Sequence, residues 1–146
     1  LPGESELNRF PSAGGANDFN EFIKTELIPY VDETYRTEPF RILRGHSLGG
    51  LFTFQNMLIQ PNTFDVFIAS SPSLYWNDNA TQELTKNVLS KLNSFNKQLY
   101  FSMGNERDEM VKATKSMANL LKTNQSMGLN KNIFICQMII IAQLHF

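Results

Sequence analysis

Residues 40–50 read Phe40-Arg41-Ile42-Leu43-Arg44-Gly45-His46-Ser47-Leu48-Gly49-Gly50. The first half, Phe40 to Arg44, reads as a short strand. The second half, Gly45 to Gly49, fits G-x-S-x-G and runs directly into Leu51, Phe52, Phe54, Gln55, Met57 and Leu58, a helix ended by Pro61. A serine on a sharp strand-to-helix turn is a nucleophile elbow. The turn needs small neighbours, and a Cβ at position 45 or 49 is expected to collide with the adjoining strand or helix. The elbow exposes the Ser47 hydroxyl above the sheet and leaves the Leu48 N–H free to donate to an oxyanion. The plainer alternative is a glycine-rich turn without catalysis.

Outward from this stretch the chain keeps alternating. Residues 1–16 hold two prolines and three glycines without a period and read as a loop. From Asn17, the residues Phe19, Phe22, Ile23, Leu27, Tyr30, Val31 and Tyr35 recur at helical spacing. Asp18 and Glu21 predict a capping box at its start, and Pro29 a kink. Downstream, Val66–Ser70 and Leu99–Met103 read as strands. Leu84–Leu92 and Met110–Leu121 read as helices, and Ser73–Asn79 as a loop. The run Ile133–Ala142 suits a strand buried on both faces and is shorter than the roughly 20 residues that cross a bilayer. Helix, then strand–helix three times, then strand predicts an α/β protein with a parallel sheet flanked by helices.

The 146 residues amount to about one domain. At 42% hydrophobic and 18% charged, the chain can bury a core. Thirteen Lys and Arg oppose fourteen Asp and Glu, net −1, which argues against nucleic acid or an anionic membrane as partner. Cys136 is the single cysteine, so no internal disulfide forms, and with two histidines a Cys/His zinc site is nearly excluded. No metal or other cofactor is implied. One cysteine is compatible with cytoplasm or periplasm, and a chain opening on Leu1 says nothing of a signal peptide.

A serine nucleophile needs a base, and the base an orienting acid. In a strand–elbow–helix architecture the order along the chain is serine, acid, histidine. His46 adjoins Ser47 and points away from its hydroxyl, which leaves His145 by elimination, or else as a mere tail residue. For the acid, Glu106 lies two residues past Gly104 after the third strand. Asp108 is the alternative and Asp78, after the second strand, a third option. Any of these carboxylates could also be a solvated loop or helix-start acid.

Four motifs in order now support a resemblance covering about residues 14–125: the helix carrying "ELIPYV", the elbow "GHSLGG", the loop "SPSLYW" and the acid loop "GNERDEM". Together with the run "RILRGHSLGGLFTFQNMLIQPNTFDVFIASSPSLYWND" they resemble the putative esterase family of α/β hydrolases, nearest its bacterial branch related to siderophore esterases. The resemblance implies the α/β-hydrolase fold, Ser47 as nucleophile, Leu48 as one oxyanion donor, Glu106 as acid, and Tyr75 and Trp76 beside the substrate cleft. Trp76 could equally be a core aromatic. The implied activity is a serine carboxylic-ester hydrolase working through an acyl-enzyme on a small-molecule ester. The alternatives are a non-catalytic module on the same fold, or an acyltransferase.

Three departures from the family pattern set further expectations. The chain reads as a single partial domain with about the last four strands of the family sheet, lacking the loop that gives a second oxyanion N–H. Arg44 stands where relatives carry an apolar residue, and in a strand covered on both faces it would need a partner. The tail, residues 132–146, is uncharged apart from His145 and atypical, as in a shifted frame or a truncation. With its first strand at an edge, the chain is expected to self-associate through residues 40–45.

Overall fold

Three parallel strands form the centre of the computed structural model, which describes residues 8, 10–11, 13–91 and 97–123. They are β1 (Ile42–His46), β2 (Val66–Ser70) and β3 (Gln98–Ser102), hydrogen-bonded in the order β1-β2-β3. The register aligns His46, Ser70 and Ser102, so the carboxyl ends of all three strands finish at one level. Helices connect and flank them: α1 (Ala16–Phe22), α2 (Ile28–Thr34), α3 (Leu48–Ile59), α4 (Trp76–Leu89) and α5 (Asp108–Thr123). The predicted α/β architecture is therefore present. The strand predicted over Ile133–Ala142 and the tail 132–146 lie outside the described residues.

The core lies between the sheet and α3. Phe54 and Met57 of α3 meet Phe67 and Ala69 of β2 and Phe101 of β3, all almost fully buried. Phe54 and Phe101 pack edge to face at 5.8 Å between ring centroids. Burying one such side chain contributes about 1.5–3 kcal/mol. On α5, Met110, Ala113, Met117 and Leu121 fall on one buried face at helical spacing.

Four local expectations change. The capping box is not formed. Gly15 is the N-cap of α1, without a side-chain cap, and Asp18 lies inside the first turn, where an acid still faces the positive end of the helix. Pro29 does not simply kink a continuous helix. A π-helical segment, Ile23–Leu27, precedes it, closed by an Ile28 N–H to Ile23 O bond, and Pro29 then sits in the first turn of α2. The wider turn moves the missing N–H to a helix start, where proline is tolerated.

β1 starts at Ile42, two residues later than predicted. Arg41 is held instead by Asp65: its N–H donates to the carboxylate at 2.8 Å, and its carbonyl accepts from the Asp65 N–H at 2.9 Å. Arg44 does not sit between two covered faces. It shares the exposed face of β1 with Ile42 and His46, so its charge stays in water and needs no partner.

Candidate active site at the carboxyl edge of the sheet

Ser47 immediately follows β1 and caps α3, with φ 56° and ψ −118°. A non-glycine residue in this region is strained by about 1–3 kcal/mol and persists only where its surroundings hold it. Here its N–H donates to Ser70 O at 3.0 Å, while its carbonyl accepts from Leu51 N–H at 2.9 Å and Ser73 N–H at 3.1 Å. Both peptide groups are thus fixed from the neighbouring strand and helix.

The glycines explain how the backbone reaches this geometry. A Cβ on Gly45 would overlap the Gly49 carbonyl and stand 2.7 Å from Thr53 Oγ1. The collision expected at Gly49 does not occur, since nothing lies within 4 Å of a Cβ there. Gly50 carries that constraint instead, because a Cβ there would stand 3.0 Å from Ser70 O and 3.1 Å from Pro72 Cα at the end of β2.

The Leu48 N–H is the first of the unpaired donors at the start of α3, where the helix dipole is positive. The Ser47 hydroxyl lies 3.4 Å from the hydroxyl of Ser73, a long contact. Ser73 is buried, and nothing in the sequence pattern singled it out. Its only trace was its place in "SPSLYW", three residues past β2. The same loop reaches β3: Ser71 N–H donates to Ser102 O at 2.7 Å, and the Gly104 N–H lies 3.4 Å from the Ser71 hydroxyl. Ser47, Ser71–Ser73 and Gly104 therefore form one row along the strand ends.

The candidate acids follow from that row. Glu106 is exposed, two residues beyond Gly104, with its carboxylate Oε1 3.6 Å from where a Gly104 Cβ would stand. Asp108 is the first residue of α5, where a carboxylate also serves the helix dipole. Asp78 is exposed and one of three consecutive left-handed residues, Asn77, Asp78 and Asn79, inside α4. The loop predicted over Ser73–Asn79 thus ends in a left-handed turn. His46 is exposed at the end of β1. His145 lies outside the described residues.

Of the cleft aromatics, Tyr75 accepts a hydrogen bond from Arg107 Nη2 at 3.2 Å. Arg107 also faces Glu109 at 3.4 Å. Arg107 carries no motif signature in the sequence and is flanked there by the candidate acids Glu106 and Asp108. Trp76 packs on Phe10 at 5.4 Å between centroids. It also lines a groove of about 540 Å³ between α3, α4 and the segment from Ala13 to Asn17. Among the described residues no cluster of His, Cys, Asp or Glu could hold a metal ion, and no helix is long and apolar enough to cross a membrane.

A parallel sheet with a strained serine between strand and helix defines the α/β-hydrolase class. The family described as putative esterase matches residues 3–134, and the chain belongs to it. It is 41% identical over 78 residues to the ferri-bacillibactin esterase BesA of Bacillus subtilis, covering 53% of this chain and 27% of that protein. It is 30% identical over 129 residues to a siderophore enterobactin esterase of Emericella nidulans, covering 77% and 43%. The crystal structure of an IroE-like serine hydrolase from Shewanella oneidensis superposes with a TM-score of 0.72 at 25% identity, over 80% of this chain and 40% of that one. The chain thus spans less than half the length of each of these relatives.

Proposed function

We propose that the chain belongs to a serine carboxylic-ester hydrolase whose nucleophile is Ser47 and whose substrate is a siderophore-type ester. The observation that carries this is the Ser47 backbone, held at φ 56° by bonds from β2, its following loop and α3. Membership of the esterase family and relatives named as siderophore esterases support the substrate class.

In the proposed reaction, Ser47 Oγ attacks the ester carbonyl as its proton passes to a base, His145, oriented by Glu106. The oxyanion accepts a hydrogen bond from the Leu48 N–H. The C–O bond breaks, and the alcohol leaves with the proton. Water then adds to the acyl-enzyme and releases the acid and free Ser47. No metal or organic cofactor enters these steps.

The test is covalent labelling by a fluorophosphonate, with the wild-type chain set against Ser47→Ala. Labelling confined to the wild type and mapped to Ser47 is the expected result. Equal labelling of both would remove Ser47 as nucleophile.

A further inference from the structure

The proposed acid, Glu106, sits on an exposed stretch of loop, Asn105 to Arg107. A carboxylate that orients a base has to hold one position, so the loop that carries it needs fixed ends. At the near end, the Gly104 N–H lies 3.4 Å from the Ser71 hydroxyl. At the far end, Arg107 makes two connections. Its carbonyl accepts from Met110 N–H at 2.9 Å and Val111 N–H at 3.1 Å, which opens α5. Its guanidinium donates to the Tyr75 hydroxyl at 3.2 Å and lies 5.7 Å from the centre of the Tyr75 ring. A hydrogen bond and a cation–π contact to one side chain restrain the guanidinium in two directions.

Tyr75 is a firm post for such a brace. It packs against the hydrophobic core. Its loop is closed on itself by Leu74 N–H to Pro72 O at 2.7 Å and Trp76 N–H to Ser73 O at 3.0 Å. The same loop is bonded to the elbow by Ser73 N–H to Ser47 O and to β3 by Ser71 N–H to Ser102 O. One bracket thus carries the serine and, through Arg107, the far end of the acid loop. Glu106 falls between the two ties, whereas Asp108 lies beyond them as the first residue of α5. The contact of Arg107 with Glu109 is an exposed ion pair, and such pairs contribute little.

We propose that Arg107 is a positioning residue: braced on Tyr75, it holds the loop that presents Glu106 to the strand ends where Ser47 sits. This rests on the hydrolase reading of Ser47 and on Glu106 as its acid. Arg107 acts through the loop it closes, not on the reacting atoms.

The test is the rate of fluorophosphonate labelling of Ser47 in the full chain. Arg107→Ala should lower it about three- to tenfold, the scale of an exposed contact of this kind. Arg107→Lys keeps a cation over the ring and a donor for the hydroxyl, and should recover most of the rate. Tyr75→Phe keeps the ring, loses the hydroxyl and should give a smaller loss. Combined with Arg107→Ala it should add nothing, as for two ends of one contact. Glu109→Gln removes the other partner of Arg107 and should stay within about twofold of the wild type. In a Glu106→Gln background, Arg107→Ala should have no further effect.

Hydrogen exchange of the peptide spanning residues 103–108 gives a second readout that needs no chemistry. Exchange should be faster in Arg107→Ala and near the wild-type rate in Arg107→Lys. Labelling of Arg107→Ala at the wild-type rate, an equal loss in Arg107→Lys, an equal loss in Glu109→Gln, an undiminished loss in the Glu106→Gln background, or unchanged exchange would each overturn the proposal. A wild-type chain that is not labelled while exchange responds strikes the hydrolase reading and the positioning role with it. Labelling of the wild type with neither response to Arg107→Ala strikes Arg107 alone.

Discussion

Around Ser47, three glycines that look alike in sequence do different work. G-x-S-x-G marks Gly45 and Gly49 symmetrically, but only Gly45 lies against backbone, because β1 delivers it directly under the first turn of α3. Gly45→Ala should therefore lower stability by about 2–3 kcal/mol, as an overpacked site does. Gly49→Ala adds a methyl to open space in a helix and should raise stability by about 0.5–1 kcal/mol. Denaturant unfolding of both variants checks this, and a reversed order would refute the assignment. The pattern made Ser47 and Leu48 legible. It could not reveal Ser73 or Gly50, whose roles come from β2 lying beside β1, a relation between segments about 25 residues apart.

Between elements, charge fixes how α2 meets β1. Asp32 near the end of α2 accepts a hydrogen bond from the Thr37 hydroxyl at 2.8 Å and pairs with Arg41 at 2.5 Å. The Thr37 hydrogen bond, and then that from Arg41, hold the Asp32 carboxyl below its ordinary value of 3.8. A depressed carboxylate contributes stability above its unfolded pKa and loses it as pH falls through the folded one. The melting-temperature gap between wild type and Asp32→Asn should thus be present near neutrality and shrink below about pH 4. A gap unchanged down to pH 2 would show that this strap does not couple to folding. None of this was readable from periodicity. Hydrophobic spacing located the helix over residues 17–35, but it has no sign for a π-turn, nor for an aspartate that reaches from the helix to Arg41 just ahead of the next strand.

At the scale of the molecule, β1 is an edge of the described sheet, and it carries exposed apolar side chains. Ile42 is 53% exposed and Phe40, just before it, 59%. Unpaired strand edges recruit other strands. The chain alone should form dimers or larger species at high concentration, and Ile42→Lys should shift it toward monomer in light scattering. A wild-type chain that stays monomeric throughout would sink this. The alternation of apolar strands and amphipathic helices predicts four parallel strands, of which the described residues hold three with their helices, because each unit is local in sequence. The acid stays open in the sequence among Glu106 and Asp108, two residues apart beyond β3, and Asp78 after β2, because spacing alone does not say which carboxylate faces a base.

One bond described above ties this scale to the first. The carbonyl of Ser47 is shared by the N–H groups of Leu51 and Ser73, and Trp76, three residues past Ser73, walls the groove. The loop after β2 and the first turn of α3 thus hang from one oxygen atom of the elbow, and the loop cannot leave β1 without losing a bond to the strained residue.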